Sequence, residues 1–321
     1  MRGDLSIIAG RSNPILAASI AKAAGVELTA CDLKRFSDGE LGVEIRDNVR
    51  GHDVFVIQST STPANDHLME LLILMDALRR SSAGRVTAVL PYFGYARQDR
   101  KTKPRVAITA KLVSDLIVNA GADRVLTMDL HAGQVMGFFN VPVDNLYARP
   151  VLLNYLKEHL SDRKITIISP DAGGVARARA YAKRLDAGLA IIDKRRSAPN
   201  EIAEMNVVGD VSGTTCVIVD DIIDTGGTMV RAADALLEHG AVEVFALASH
   251  AVLSGNAKEI IPDSNIKKLI ISDSIFHNDL INIEEHTWLT RISVAPLIGE
   301  AIRRINGDES VSVLFSSDEA I

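Results

Sequence analysis

Cys216-Val217-Ile218-Val219-Asp220-Asp221-Ile222-Ile223-Asp224-Thr225-Gly226-Gly227-Thr228 is the stretch from which the fold can be read. Its apolar run shows no polar alternation, the pattern of a strand covered on both faces in a parallel sheet. The run ends in two carboxylates, and a turn with paired glycines and two threonines then opens onto a helical pattern over 228–239. In open α/β sheets ligands bind beyond the carboxyl ends of such strands. Glycines let backbone N–H groups converge on an anion, threonine hydroxyls add donors, and a helix N-terminus favours negative charge. Asp224, Thr225, Gly226, Gly227 and Thr228 therefore read as a phosphate cradle. Carboxylates repel phosphate, so Asp220 and Asp221 want something else, such as sugar hydroxyls or a metal. A phosphate beside a diol means a phosphorylated ribose. The competing account is an ordinary strand-to-helix turn with acidic capping residues.

The same punctuation recurs along the chain. Val- and Ile-rich runs at 54–57, 86–90, 125–128, 165–168, 189–192, 244–248 and 269–271 predict further buried strands. Between them, 14–24, 66–79, 107–119, 148–159, 176–185, 228–239 and 294–305 predict helices. In the second of these, Leu68, Leu71, Leu72 and Met75 form a helix-period stripe. Gly121, Gly240 and Gly307 stand where left-handed caps would end three of them. Residues 311–315 predict a final strand. Strand–helix alternation over the whole length gives two doubly wound α/β parallel-sheet domains, 1–148 and 149–321. A chain of 321 residues fits that count.

Composition narrows the function. Thirty-five Lys+Arg against 41 Asp+Glu leave a net charge of −6, and aromatics are 4%. Neither suits a general nucleic-acid binder, although a local basic pocket for a small anion remains open. No apolar run reaches the ~18 residues a membrane span needs, and no secretory leader is evident. Cys31 and Cys216 read as reduced core thiols, and the expected location is the cytoplasm.

Four more segments carry chemistry. Asp171-Ala172-Gly173-Gly174 is a second glycine turn at a strand end, suited to a pyrophosphate. Arg97-Gln98-Asp99-Arg100-Lys101 follows a Pro-aromatic-Gly turn, and arginine forks suit phosphate oxygens. There is no G-x-x-x-x-G-K-[ST], so no P-loop cradles a nucleotide. Asp129 and His131 end another run, where alternation puts both on one side. Lys194-Arg195-Arg196 leads into a polar stretch suited to closing over a phosphoryl-transfer site. Taken singly, each basic run is equally a solvated surface loop.

Together with Phe36-Ser37-Asp38-Gly39-Glu40, Asn48-Val49-Arg50-Gly51 and the 91–100 stretch, these segments resemble the ribose-phosphate pyrophosphokinases, phosphate-activated class I synthetases of phosphoribosyl pyrophosphate (PRPP). The resemblance runs from about Ala9 to Phe315 and implies two domains of the type I phosphoribosyltransferase fold. It implies that Arg97 and Gln98 bind ATP together with Phe36, Asp38, Gly39 and Glu40 lent by a neighbouring subunit. It makes His131 and Asp171 ligands of Mg²⁺, Lys194 the catalytic lysine and Arg196 its partner, with Arg196 also on ribose 5-phosphate. The implied reaction moves the diphosphoryl group of ATP to ribose 5-phosphate, giving PRPP and AMP for nucleotide biosynthesis. A hexamer is implied, as are phosphate and ADP as effectors on an oxyanion site of Arg50, Ser81, Ser82, Arg105, Ser310 and Ser312. Asn48 stands where relatives often carry serine. Met136 stands where they often carry glutamine, and a thioether cannot donate that hydrogen bond. Two rivals remain: a phosphoribosyltransferase that consumes PRPP, and a silent synthetase-associated protein. The first has no use for the 36–40 and 97–100 segments. Silent relatives carry disrupted catalytic segments, whereas 194–196 is intact here.

Overall fold

The computed structural model describes residues 3–195, 204–282 and 286–314. The chain divides into two compact units. The first takes residues up to Tyr147, Ser274–Phe276 and the stretch from Ser293; the second takes Ala148–Asp273 and His277–Ile292.

Along the first unit run β1 (Leu5–Ala9), α1 (Pro14–Ala24), β2 (Cys31–Arg35), β3 (Leu41–Ile45), β4 (Asp53–Ile57), α2 (Ala64–Arg80), β5 (Arg85–Leu90), α3 (Thr109–Ala120), β6 (Arg124–Met128) and β7 (Val143–Leu146). Five strands form a parallel sheet in the order β1-β4-β5-β6-β7, and β2 and β3 make a separate antiparallel hairpin. Val54 and Val56 of β4 share a buried cluster with Leu71, Leu74, Met75 and Leu78 of α2 and with Val113 and Ile117 of α3. The alternate residues Phe55 and Ile57 are equally buried, so both faces of the strand are covered, as its unbroken apolar run requires. Helix α1 has a complete set of local signals. Asn13 accepts the Leu16 N–H at 3.1 Å, Pro14 opens the first turn, and Gly25 closes the helix at φ 80.

The second unit holds α4 (Arg149–Leu160), β8 (Ile165–Ser169), α5 (Val175–Leu185), β9 (Gly188–Arg195), β10 (Glu204–Val208), β11 (Thr215–Ile223), α6 (Gly227–Glu238), β12 (Glu243–Ala251), α7 (Ala257–Ile260), β13 (Ile266–Ser272) and β14 (Leu289–Ile292). Its seven strands lie in the order β10-β9-β8-β11-β12-β13-β14. Only β10 runs antiparallel to its neighbour. From β8 the chain moves outward to β9 and then returns to β11 on the other side. The strand order therefore reverses between β8 and β11, and that opens a crevice at their carboxyl ends. The expected α/β class with parallel sheets is what both units show. Burial pushes the Cys31 and Cys216 thiols up to about 11, so both stay protonated. Among the described residues no helix is long and apolar enough to cross a membrane.

Three expectations are corrected. The second domain does not take everything from 149 onward, because α8 (Ala295–Asn306) belongs to the first unit. It packs against α1 so closely that a Cβ on Gly299 would lie 2.7 Å from the Ala23 Cβ. Arg85 donates to the Ile305 carbonyl at 3.2 Å and Asn306 to Asp53 at 3.0 Å, tying the helix end to the sheet. An amphipathic pattern announces a helix but not the sheet it lands on. Gly307 takes φ −79, and Asp308 makes the left-handed turn at φ 58 instead. The final strand does not form: Ser312–Leu314 is a short 3-10 turn, and Phe315 lies outside the described residues. Val311 is 9% exposed and Val313 62%, whereas a strand would place both on one face.

Candidate active site

The two glycine turns follow β8 and β11, the adjacent parallel strands at which the strand order reverses. After β11, Gly226 takes φ 75 and ψ −22, directly before α6, and no side chain caps that helix. The first-turn N–H groups of α6 are thus left for an anion. Gly226 cannot carry a side chain easily: a Cβ there would sit 3.0 Å from Cγ1 and Cδ1 of Ile261. Ser254 donates a hydrogen bond to Asp224, which ties the cradle to the loop after β12. After β8, the Gly174 N–H donates to Asp171 Oδ1 at 2.9 Å, and Ser169 Oγ donates to the Asp171 carbonyl at 2.6 Å. A Cβ on Gly174 would stand 2.9 Å from that Ser169 oxygen, so the turn admits glycine best. Helix α5 follows at once, again without a side-chain cap.

Between the two turns lie the carboxylates of β11. Asp221 is buried, and its N–H donates to Asp220 Oδ1 at 2.8 Å. One guanidinium holds both: Arg177 of α5 is 2.9 Å from Asp220 Oδ1 and 3.1 Å from Asp221 Oδ1. Burial first, and then the adjacent Asp221, push the Asp220 carboxyl up to about 7 against the lowering pull of Arg177. The folded state holds this proton more tightly than the unfolded chain does. The stability it contributes is full below the ordinary 3.8 and is lost as pH rises through about 7. Asp220→Asn, which mimics the neutral form, is expected to gain Tm relative to the parent between about pH 5 and pH 8. Thermal melts of both proteins across that range check the difference.

In the first unit, 36–40 caps the β2–β3 hairpin. The Phe36 N–H donates to the Glu40 carbonyl at 2.9 Å, the Glu40 N–H to Asp38 Oδ1 at 3.1 Å, and Gly39 turns at φ 94. Phe36 is 55% exposed, and its ring overhangs Gly42, where a Cβ would be 2.9 Å away. Arg97 and Gln98 lie exposed on the loop after β5. That loop is pinned from several sides. The Gly94 N–H donates to Thr60 Oγ1 at 2.6 Å, Thr109 Oγ1 to Gln98 Oε1 at 2.6 Å, and Gln134 to Asp99 at 2.6 Å. The last bond joins it to the segment that carries His131. Strand β6 stops at Met128, and Asp129 takes φ 41, so the alternation expected to align Asp129 with His131 does not reach them. His131 is exposed beyond the break.

Residues 5–121 match the N-terminal domain of ribose phosphate pyrophosphokinase, and 194–316 match the phosphoribosyl synthetase-associated domain. A ribose-phosphate pyrophosphokinase of Bradyrhizobium diazoefficiens is 56% identical over 98% of each chain. One of Clostridium tetani is 53% identical, also over 98% of each. The crystal structure of phosphoribosylpyrophosphate synthetase from Mycobacterium smegmatis superposes with a TM-score of 0.89 at 42% identity, covering 95% of this chain and 99% of that one. The chain belongs to the ribose-phosphate pyrophosphokinase family.

Other residues expected of a ribose-phosphate pyrophosphokinase are placed as follows. Lys194 stands near the end of β9, opposite Met205 of β10; Arg196 lies outside the described residues. Arg50 and Ser82 come from loops that meet, since the Gly51 N–H donates to the Ser82 carbonyl at 2.8 Å. Ser81 ends α2 beside Ser82. Ser310 and Ser312 share a hydrogen bond of 2.7 Å and line a separate surface hollow with Arg124 and Asp144. Arg105 is exposed on the loop before α3. His131 and Asp171 belong to different units. Among the described residues no three His, Cys, Asp or Glu side chains form a metal cage. Asp171 spends only Oδ1 on Gly174, which suits Mg²⁺ carried in by a polyphosphate and needing few protein ligands. Arg177, which pairs with both carboxylates, is the site residue the sequence left unmarked, because its partners lie 43 and 44 positions away.

Proposed function

We propose that the chain is a ribose-phosphate diphosphokinase acting on Mg-ATP and ribose 5-phosphate. The observation that carries this is the pair of uncapped helix starts, α5 and α6, flanking a carboxylate pair at one strand-order reversal. Two phosphate cradles with diol acceptors between them match a ribose phosphate that receives a diphosphoryl group.

Asp224, Thr225, Gly226, Gly227 and Thr228 hold the 5-phosphate, while Asp220 and Asp221 accept hydrogen bonds from the ribose hydroxyls. The 171–174 turn holds the diphosphoryl group. Arg97 and Gln98 bind ATP, with Phe36 as a platform for the adenine and Asp38, Gly39 and Glu40 at its polar edge. The anomeric oxygen bonds to the β-phosphorus, the bond from that phosphorus to the oxygen bridging the α-phosphate breaks so that AMP departs with that oxygen, and the hydroxyl proton passes to solvent. Lys194 and Arg196 meet the charge that develops on the transferring group. His131 and Asp171 would hold Mg²⁺, which, when bound, neutralises triphosphate charge. Binding and orientation supply most of the acceleration in such a transfer. The cytoplasm is the expected site of this work.

The exposed hairpin supports assembly into a homo-oligomer, a hexamer by resemblance, in which the 36–40 loop completes a neighbour's site. Arg50, Ser81, Ser82, Arg105, Ser310 and Ser312 are the proposed effector residues for phosphate and ADP. Asn48 preserves the loop by accepting the Arg50 N–H at 3.1 Å, whereas Met136 offers no donor for ADP.

Incubation with ATP, Mg²⁺ and ribose 5-phosphate is expected to yield AMP and PRPP in equal amounts. PRPP consumption only with a free base would indicate a transferase instead, and no reaction would indicate the silent relative. The same assay with added phosphate and ADP, alongside a sedimentation mass, tests activation, inhibition and assembly.

A further inference from the structure

We infer that Arg177 is a positioning residue, setting Asp220 and Asp221 to receive the ribose hydroxyls and thereby selecting sugars that carry both. This rests on the diol role of the two carboxylates proposed above. Three observations carry it. First, one guanidinium reaches one oxygen of each carboxylate, at 2.9 and 3.1 Å. Arginine's planar, always charged fork fixes a direction that a lysine's point charge does not.

Second, the arginine stands in an electrostatically poor place. Arg177 is the third residue of α5, at the positive end of the helix dipole, where a cation is disfavoured. Local preferences broken in this way are expected at functional sites. Its neighbour Arg179, two residues on, is exposed, whereas Arg177 is half-buried against the carboxylates. Third, the pair needs a cation. Asp220 and Asp221 are adjacent in sequence, Asp221 is buried, and burial together with Asp221 drives the Asp220 carboxyl upward. Two carboxylates this close, without a shared cation, favour taking up a proton, and a protonated carboxyl donates where the ribose hydroxyls need acceptors. Arg177 keeps acceptor oxygens in place without itself touching the reacting atoms.

The experiment compares Arg177→Gln, Arg177→Lys and Asp220→Asn with the parent. Each is assayed for KM with ribose 5-phosphate and with ATP, for kcat, and for inhibition by 2-deoxyribose 5-phosphate, which lacks one hydroxyl. Arg177→Gln is expected to raise the ribose 5-phosphate KM roughly tenfold or more, as loss of a hydrogen bond to a charged group does. Its ATP KM should stay within about twofold. Preference for the ribose over the deoxyribose phosphate should collapse toward that of Asp220→Asn, and Arg177→Lys should recover part of it. If Arg177→Gln weakens both sugars equally, Arg177 only supports the fold and the inference fails. If Arg177→Gln does not fold, Arg177→Lys decides, and unaltered selectivity in it overturns the inference. If Asp220→Asn alters neither affinity nor selectivity, the diol reading itself fails, and that result is separate from a failure of Arg177.

Discussion

Lys194→Ala is expected to lower kcat by ~10³-fold while leaving the KM values for ATP and ribose 5-phosphate nearly unchanged. The residue sits at the penultimate position of β9, a strand hydrogen-bonded to β8, whose carboxyl end begins the 171–174 turn. Its backbone is held by β10, with Met205 opposite, whereas the β8 ladder ends three residues earlier, at Ile191. A cation held in place before substrate arrives stabilises developing charge without reorganisation during the reaction, and that is the role expected of Lys194. A group that acts mainly on developing charge lowers kcat and kcat/KM together when removed. Steady-state kinetics with each substrate varied in turn measure this directly. Turnover within a few-fold of the parent would remove Lys194 from the catalytic machinery.

Gly226→Val should act on binding instead. At φ 75 the position is left-handed, which costs an L-residue about 1–2 kcal/mol and a β-branched one more. A Cβ would also stand 3.0 Å from the Ile261 side chain, just beyond α7, so the turn must shift to accept it. The N–H groups at the start of α6 then lose their convergence. The expected results are a ribose 5-phosphate KM raised at least about tenfold, an unchanged ATP KM and a lower Tm. Calorimetric titration with ribose 5-phosphate and a thermal melt test all three. An unaltered affinity would mean that 224–228 is not the phosphate cradle.

Much of this site was legible because it is written in local backbone chemistry. The 216–228 stretch announced strand, carboxylates, glycine turn and helix, and all appear in that order at the β11–α6 junction. The 171–174 stretch was equally plain as a glycine turn, and it stands between β8 and α5 as the pattern implied. Arg177 was not legible. Its partners lie 43 and 44 positions away, and only the packing of α5 against β11 brings them within 3.1 Å. Asp129 misled for a related reason: strand alternation holds only while the ladder continues, and β6 ends one residue earlier.

The sequence by itself determined the buried strands β4, β5, β6, β8, β9, β11, β12 and β13, the long helices, and the glycine turns after β8 and β11, but not β1, β2, β3, β7, β10 or β14. What it determined depends on side-chain period, on cap residues and on which φ values a residue tolerates, all of which act over a few neighbours. The tertiary structure alone decided that α8 packs against α1, that Val311 buries as part of a turn rather than a strand, and that one arginine holds two aspartates. Each of those depends on which surfaces meet, and burial and charge pairing between distant segments leave no periodic trace in the chain.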